Sequence, residues 1–197
     1  TSKAFPQLYL SGVASLTREQ EQSTEATVKE VIRRLRSYQT VDGSFSYWPG
    51  GTAPNAWGTV YAIHFLLEAE KKGYLVPEGM KRNALNDLSR IARNWKPEAS
   101  YSAESEEMTQ AYRLFVLALG QVAEVGAMNR LKESKTLMSM SRYLLAAGYA
   151  LVGRPDVSKE LVVKTTALTT ACSGYDQTFG SDLRDASIRL MTLCLLD

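Results

Sequence analysis

Histidine and cysteine are almost missing from this sequence. With a single histidine, His64, any catalytic triad, proton relay or paired-histidine metal site that needs an imidazole must use that one residue. The two cysteines, Cys172 and Cys194, form neither a Cys-x-x-Cys pair nor a dense disulfide framework, and they read as buried free thiols. No apolar run reaches the roughly 20 residues of a membrane span, and no basic n-region followed by an apolar h-region opens the chain. Charge of one sign is also lacking: 23 basic and 21 acidic residues are dispersed to a formal +2, without the basic stripe and interleaved aromatics of a nucleic-acid binder. Nucleic acid is therefore excluded as a partner. Phosphate-cradling loops are absent too, since Pro49-Gly50-Gly51 has neither the lysine nor the strand context. No cofactor or metal is expected.

What the chain does have is apolar content, 45% hydrophobic over 197 residues, enough for one well-buried domain spanning 1–197. A start at Thr1 instead of methionine suggests a piece of a longer polypeptide. The sequence is organised around Leu35–Tyr61. There a helical pattern runs into Gln39, stops at Asp42-Gly43, crosses an aromatic loop (Phe45, Tyr47, Trp48, Pro49, Gly50, Gly51) and restarts at Trp57. Asp-Gly supplies the positive φ that ends a helix. Three large aromatics in four residues are too much apolar surface for water, so the joint is expected to be packed. The spacing Gln39, Gly43, Phe45 is that of a helix corner, in which the glutamine amide satisfies free backbone groups and the aromatic fills the space beneath.

On either side of this joint two helix types alternate. Residues 2–16 read as a helix with Pro6 in its first turn, followed by a polar loop, TREQEQST. Thr24 is the expected cap of an amphipathic helix carrying Val28, Val31, Ile32 and Leu35 on one face. Trp57–Ala69 is apolar nearly all round. Met80–Trp95 is amphipathic, with Asp87 on its polar side, and Met108–Val122 is again apolar all round. Ala127–Leu137 is short and polar-faced, Arg142–Val152 apolar, and Val157–Thr170 polar-faced. Ser181 caps a last apolar helix reaching Leu196. A helix apolar all round needs neighbours on every side and an amphipathic one on a single side, so an inner ring wrapped by an outer ring satisfies both. The fold class is all-α, with an α/α toroid as the expected architecture. A helical solenoid fits less well, because no fixed-period repeat is present.

The candidates for chemistry each have a plainer reading. His64, in AIHFLL, reads as a core or ring-facing histidine with one hydrogen bond, and otherwise as a base. A zinc site joining Cys172, Asp176 and His64 has residue identity in its favour but no spacing. Asp182 suits a first-turn macrodipole role, and Arg184 with Asp185 suits pairing between helices. Glu104, Glu106 and Glu107 read as a solvated helix start. None of these sets supplies the positioned carboxylates of a glycoside hydrolase or the clustered acid of a terpenoid cyclase.

The opening TSKAFPQLYL, the central QTVDGSFSYWPGG with AWGTVYAIHFLLEAEKKGYLVP, and the closing TFGSDLRDASIRLMTLCLL together resemble the thioester domain of bacterial alpha-2-macroglobulins, with Gly180, Arg184 and Asp185 in the closing stretch. The resemblance implies an α/α toroid within a large periplasmic or cell-surface, membrane-anchored trap for proteases. In that family a Cys-x-Glu-Gln sequence forms an internal thioester that captures the target protease covalently; the chemistry is single-use and the protein is not an enzyme. The motif would lie just upstream of Thr1, and neither Cys172 nor Cys194 is followed by x-Glu-Gln. Some relatives carry a downstream histidine that favours hydroxyl targets, but Tyr101–Glu107 has none, so attack by amines is expected. A thioester-less module packed on neighbouring domains and a toroid enzyme are the alternatives.

Overall fold

The computed structural model describes residues 1–97, 103–134, 137–163 and 180–197. Among these the chain is all-α, with nine α-helices, one short 3-10 helix and no strands beyond two isolated bridges. Two compact units divide it, Thr1–Asp87 and Leu88–Asp197.

In the first unit a 3-10 turn, Pro6–Tyr9, leads into the short α1 (Leu10–Val13) and then α2 (Arg18–Leu35). The run TREQEQST is the first two turns of α2 and not a loop, and the cap is Thr17 in place of Thr24. Thr17 and Gln20 form a capping box: the Gln20 amide N–H donates to Thr17 Oγ1 at 3.3 Å, and the Thr17 N–H to Gln20 Oε1 at 2.9 Å. With two orphan donors satisfied in this way, the polar composition of the first turns does not oppose the helix. Val28, Ile32 and Leu35 are its buried stripe.

Helix α3 (Ala56–Lys71) starts at Asn55, whose Oδ1 accepts from Gly58 N at 2.6 Å. It buries Val60, Ala62, Ile63, Phe65, Leu66, Leu67 and Ala69, as expected for a helix with apolar residues on most sides. A Schellman closure ends it. Tyr74 N donates to Ala69 O at 3.0 Å and Gly73 N to Glu70 O at 2.9 Å, with Gly73 at a φ of +86°. Helix α4 (Glu78–Asn94) buries Met80, Ala84 and Leu85 in this unit, and Lys81 bridges to Glu70 at 2.9 Å. Asp87 does not face water as its pattern suggests. It is buried because the Ser44 hydroxyl donates to its Oδ2 at 2.5 Å.

The second unit is centred on α5 (Ala103–Leu119), which is buried without interruption from Glu107 to Ala118. Helices α6 (Val125–Lys132) and α7 (Ser139–Leu151) pack on α5, and α8 (Pro155–Val163) and α9 (Asp182–Cys194) pack on α7. Both α5 and α7 end in the same Schellman closure as α3. The bond pairs are Val122 N to Leu117 O with Gln121 N to Ala118 O, and Arg154 N to Tyr149 O with Gly153 N to Ala150 O. At α5 the left-handed position is filled by Gln121, the one described non-glycine residue with positive φ, at 61°. Helix α9 is less buried than its apolar content leads one to expect. Only Thr192 is buried, while Leu183, Leu190 and Leu193 are exposed. Leu183 and Leu190 lie on the opposite side of the helix from Thr192, which faces α7. The contact is made by Thr192, whose hydroxyl donates to Tyr143 O at 3.0 Å, and by Arg189 above the Tyr143 ring.

Candidate functional site

The aromatic joint is tied together from its polar residues outward. Helix α2 stops at Leu35, four residues before Gln39, so Gly43 does not terminate that helix. Instead Gln39 pairs with Phe45 in an isolated antiparallel bridge, and the turn between them closes with Gly43 N donating to Thr40 O at 3.0 Å. Gly43, at a φ of +107°, supplies the turn its left-handed residue. The Gln39 amide donates to Gly43 O at 3.1 Å and to Met80 O at 2.9 Å, joining the loop to α4. Gly43 lies so close to α4 that a Cβ would stand 2.3 Å from the Asn83 carbonyl oxygen.

Only one of the three aromatics is packed. Phe45 is buried, its N–H donating to Thr59 Oγ1 at 2.9 Å, whereas Tyr47 is 63% and Trp48 70% exposed. The two exposed rings meet edge-on with centroids 5.0 Å apart. Ser46 explains the difference: its hydroxyl, within donor distance of Tyr38 O at 3.0 Å and Trp48 O at 2.6 Å, pins the backbone so that the following rings turn outward. Trp57 sits half-buried in the first turn of α3.

His64 is half-buried on α3 with its ring edge-on to Phe5, centroids 4.9 Å apart at 86°. Burial pushes its pKa down to about 4, with Glu68 acting upward and Lys71 further downward, so the imidazole is neutral at pH 7. Nearby, the Tyr9 hydroxyl donates to Glu68 Oε2 at 2.6 Å. Burial and this carboxylate raise the phenol, while Lys71 and Tyr9 together hold Glu68 below the usual carboxylate range against its burial.

In the second unit Glu107 departs from its reading as a solvated helix start. It is buried on α5 and its Oε1 accepts from Met138 N at 2.9 Å, placing a carboxylate at the N-terminus of α7. Burial raises its pKa, and the Met138 bond opposes that rise. Its signal was its place on the apolar face leading into Met108. Arg113, also buried, donates to Gln110, which in turn donates to Ala92 O at 3.1 Å. At the far end Gly180 is half-buried and Ser181 caps α9 by accepting from Arg184 N at 3.1 Å. Arg184 and Asp185, neighbours in the first turn of α9, pair with each other at 2.6 Å. Cys172, Asp176 and Tyr101 lie outside the described residues. Among the described residues no three His, Cys, Asp or Glu side chains come together as a metal site, and no helix is long and apolar enough to cross a membrane.

No protein-family model matches the chain. It is 27% identical over 204 residues to the alpha-2-macroglobulin of Escherichia coli, an alignment covering 98% of this chain and 12% of that protein. The fold recurs in the structure of native E. coli alpha-2-macroglobulin spanning domain MG7 to the C-terminus, with a TM-score of 0.81 and 24% identity over 98% of this chain and 32% of that one. It recurs again in trypsin-activated E. coli alpha-2-macroglobulin (TM-score 0.80, 24% identity, 98% of this chain and 14% of that one). The Salmonella protein reacted with methylamine gives a TM-score of 0.77 at 23% identity, over 99% of this chain and 14% of that one. The chain is a helical domain homologous to bacterial alpha-2-macroglobulin, and it spans only 12% of the length of that E. coli relative.

Proposed function

We propose that this chain is the thioester-type domain of an alpha-2-macroglobulin-like endopeptidase inhibitor, one domain of a longer polypeptide that traps target proteases in the periplasm or at the cell surface. The observation that carries the reading is the end-to-end homology with the E. coli protein, covering 98% of the chain. Support comes from the relatives of like fold: one was activated by trypsin, and another reacted with methylamine. An α/α toroid, with apolar helices inside and amphipathic helices outside, is the architecture that best fits the alternation of the two helix types. Gln39, Gly43, Phe45, Trp48, Trp57, Gly180, Arg184 and Asp185 are its structural motif, holding corners and helix ends, with no catalytic role. Where the polypeptide carries Cys-x-Glu-Gln just upstream of Thr1, the covalent step belongs to that thioester: a protease amine attacks the glutamine acyl carbon, an amide forms, the carbon–sulfur bond breaks and the cysteine leaves as a thiol.

A polypeptide extended upstream of Thr1, treated with methylamine while free thiol is titrated, tests this. Stoichiometric thiol release with methylamine incorporation is the expected result. Absence of release under both native and denaturing conditions would leave a mechanical module packed on neighbouring domains, with any inhibition arising from enclosure of the protease.

A further inference from the structure

The opening residues of the chain are seated on one stripe of α3. Phe5 packs its ring against Tyr61, His64 and Phe65 at centroid distances of 5.3, 4.9 and 5.8 Å. Further along, the Tyr9 hydroxyl donates to Glu68, and the Lys72 ammonium stands 5.0 Å from the Tyr9 ring centroid. Tyr61, His64, Phe65, Glu68 and Lys72 follow one another at helical spacing, so both anchors meet the same face of the helix. Ala4 and Leu8 are buried, and Ser2 adds a side-chain bond to Tyr61. The backbone carries this hold to the first residue: Ala4 N and Phe5 N both donate to Thr1 O at 2.9 Å, while Gln7 N donates to Ala4 O and Leu8 N to Phe5 O at 3.1 Å. Thr1 is thereby fixed one turn from the Phe5 anchor, half-buried. A residue joined to Thr1 through a planar peptide bond has only its own backbone dihedrals free. Where it stands is therefore set by the seat of Phe5 on α3.

We propose that Phe5 is a positioning residue for acyl transfer, restraining the reactive glutamine of the parent polypeptide against premature attack. This rests on the thioester reading given above, in which that glutamine stands just upstream of Thr1. With Phe5 seated, the glutamine has few orientations open to it, and the directions from which a free amine reaches its acyl carbon are correspondingly few. With the segment loosened, the acyl group samples more of them. In the reaction itself the amine nitrogen bonds to the acyl carbon and loses a proton, the carbon–sulfur bond breaks, and the sulfur leaves as the cysteine thiol. Phe5 takes no part in these steps and acts only on how often they begin. Removing its ring leaves Ala4, Leu8 and the bond from Tyr9 to Glu68 in place, so the segment loosens without detaching.

Two readouts on the full polypeptide test this. Hydrogen exchange at the amides of Ala4, Gln7 and Leu8, corrected for intrinsic rates, is expected to quicken about tenfold in Phe5→Ala with amides of α5 unchanged, given the loss of three ring contacts. The rate constant for thiol release by methylamine is expected to rise by the same factor. Phe5→Tyr keeps the ring and holds both rates within about twofold of wild type. Leu144→Ala opens a cavity in the second unit and leaves both rates unchanged, which separates the seating of Phe5 from a general loss of stability. Unchanged exchange in Phe5→Ala overturns the proposal, as does quickened exchange with unchanged thiol release. Absence of any release from the wild-type protein, native and denatured, overturns the thioester reading and this role with it. Release that is present but equally fast in Phe5→Ala overturns the role alone.

Discussion

Replacing Gly43 by alanine separates the two reasons for a glycine at the joint. At a φ of +107° an alanine is strained, and its Cβ would also lie 2.3 Å from the Asn83 carbonyl oxygen and 2.7 Å from its carbon. These are backbone atoms of α4 and cannot swing aside as a flexible side chain would. Strain alone costs about 1–3 kcal/mol. Lifting the loop away from α4 also weakens the Gln39 bond to Met80 O, worth about 1 kcal/mol, and the Ser44 bond to the Asp87 carboxylate, worth about 1.5–3 kcal/mol. Together these reach about 4–7 kcal/mol, comparable with the whole stability of many domains. Gly50→Ala is the control, because Gly50 has a φ of +73° and no atom within 4 Å of its Cβ position, leaving strain of about 1–2 kcal/mol. Urea unfolding followed by far-UV circular dichroism compares the two variants under identical conditions. The reasoning predicts a modest shift in midpoint for Gly50→Ala and unfolding at little or no denaturant for Gly43→Ala. Equal losses in the two variants would refute the close approach to α4 as the cause.

Glu107→Gln keeps an acceptor for Met138 N while removing a carboxylate whose burial is unfavourable, so stability at pH 7.5 is expected to stay within about 1 kcal/mol of wild type or to rise. Glu107→Ala leaves that N–H unpaired and loses about 1–3 kcal/mol. The raised native pKa favours the protonated form, so the stability of Glu107→Gln relative to wild type should increase between pH 4.5 and 7.5, as urea titrations at the two pH values would show. Gln121→Gly relieves a left-handed non-glycine residue at the end of α5 and should stabilise by about 0.5–1 kcal/mol, read as an increase in thermal midpoint. An unchanged or lower midpoint would mean that the Gln121 side chain contributes more than its backbone strain takes away.

The helices with apolar residues on every side were the most legible elements. In α3 and α5 no rotation about the axis places a polar stripe outward, so burial follows from composition alone. Helix α9 is the counterexample: it is rich in leucine, but Leu183, Leu190 and Leu193 are exposed while Thr192 and Arg189 reach Tyr143 of α7, which its apolar content does not reveal. Local polar chemistry was the other source of error. The capping box of Thr17 and Gln20 was present in the sequence, but the run of charged and polar residues after it masked the helix start. Asp87 and Glu107 are polar by type and buried by partnership, and their partners, Ser44 and Met138 N, lie 43 and 31 residues away in sequence. At the joint, Gln39 and Gly43 were recognised from spacing, yet which aromatic turned inward depended on the Ser46 hydroxyl, a contact that no periodicity records.

The outward-facing tryptophan also gives the molecule a built-in optical probe. Of the three tryptophans, Trp57 and Trp95 are half-buried while Trp48 is 70% exposed, so Trp48 supplies the red-shifted component of emission that acrylamide quenches most readily. Any surface that settles on the joint would shield that indole and shift its emission to the blue. Docking at this corner is therefore visible in an unlabelled titration, with Trp48→Phe as the matched blank.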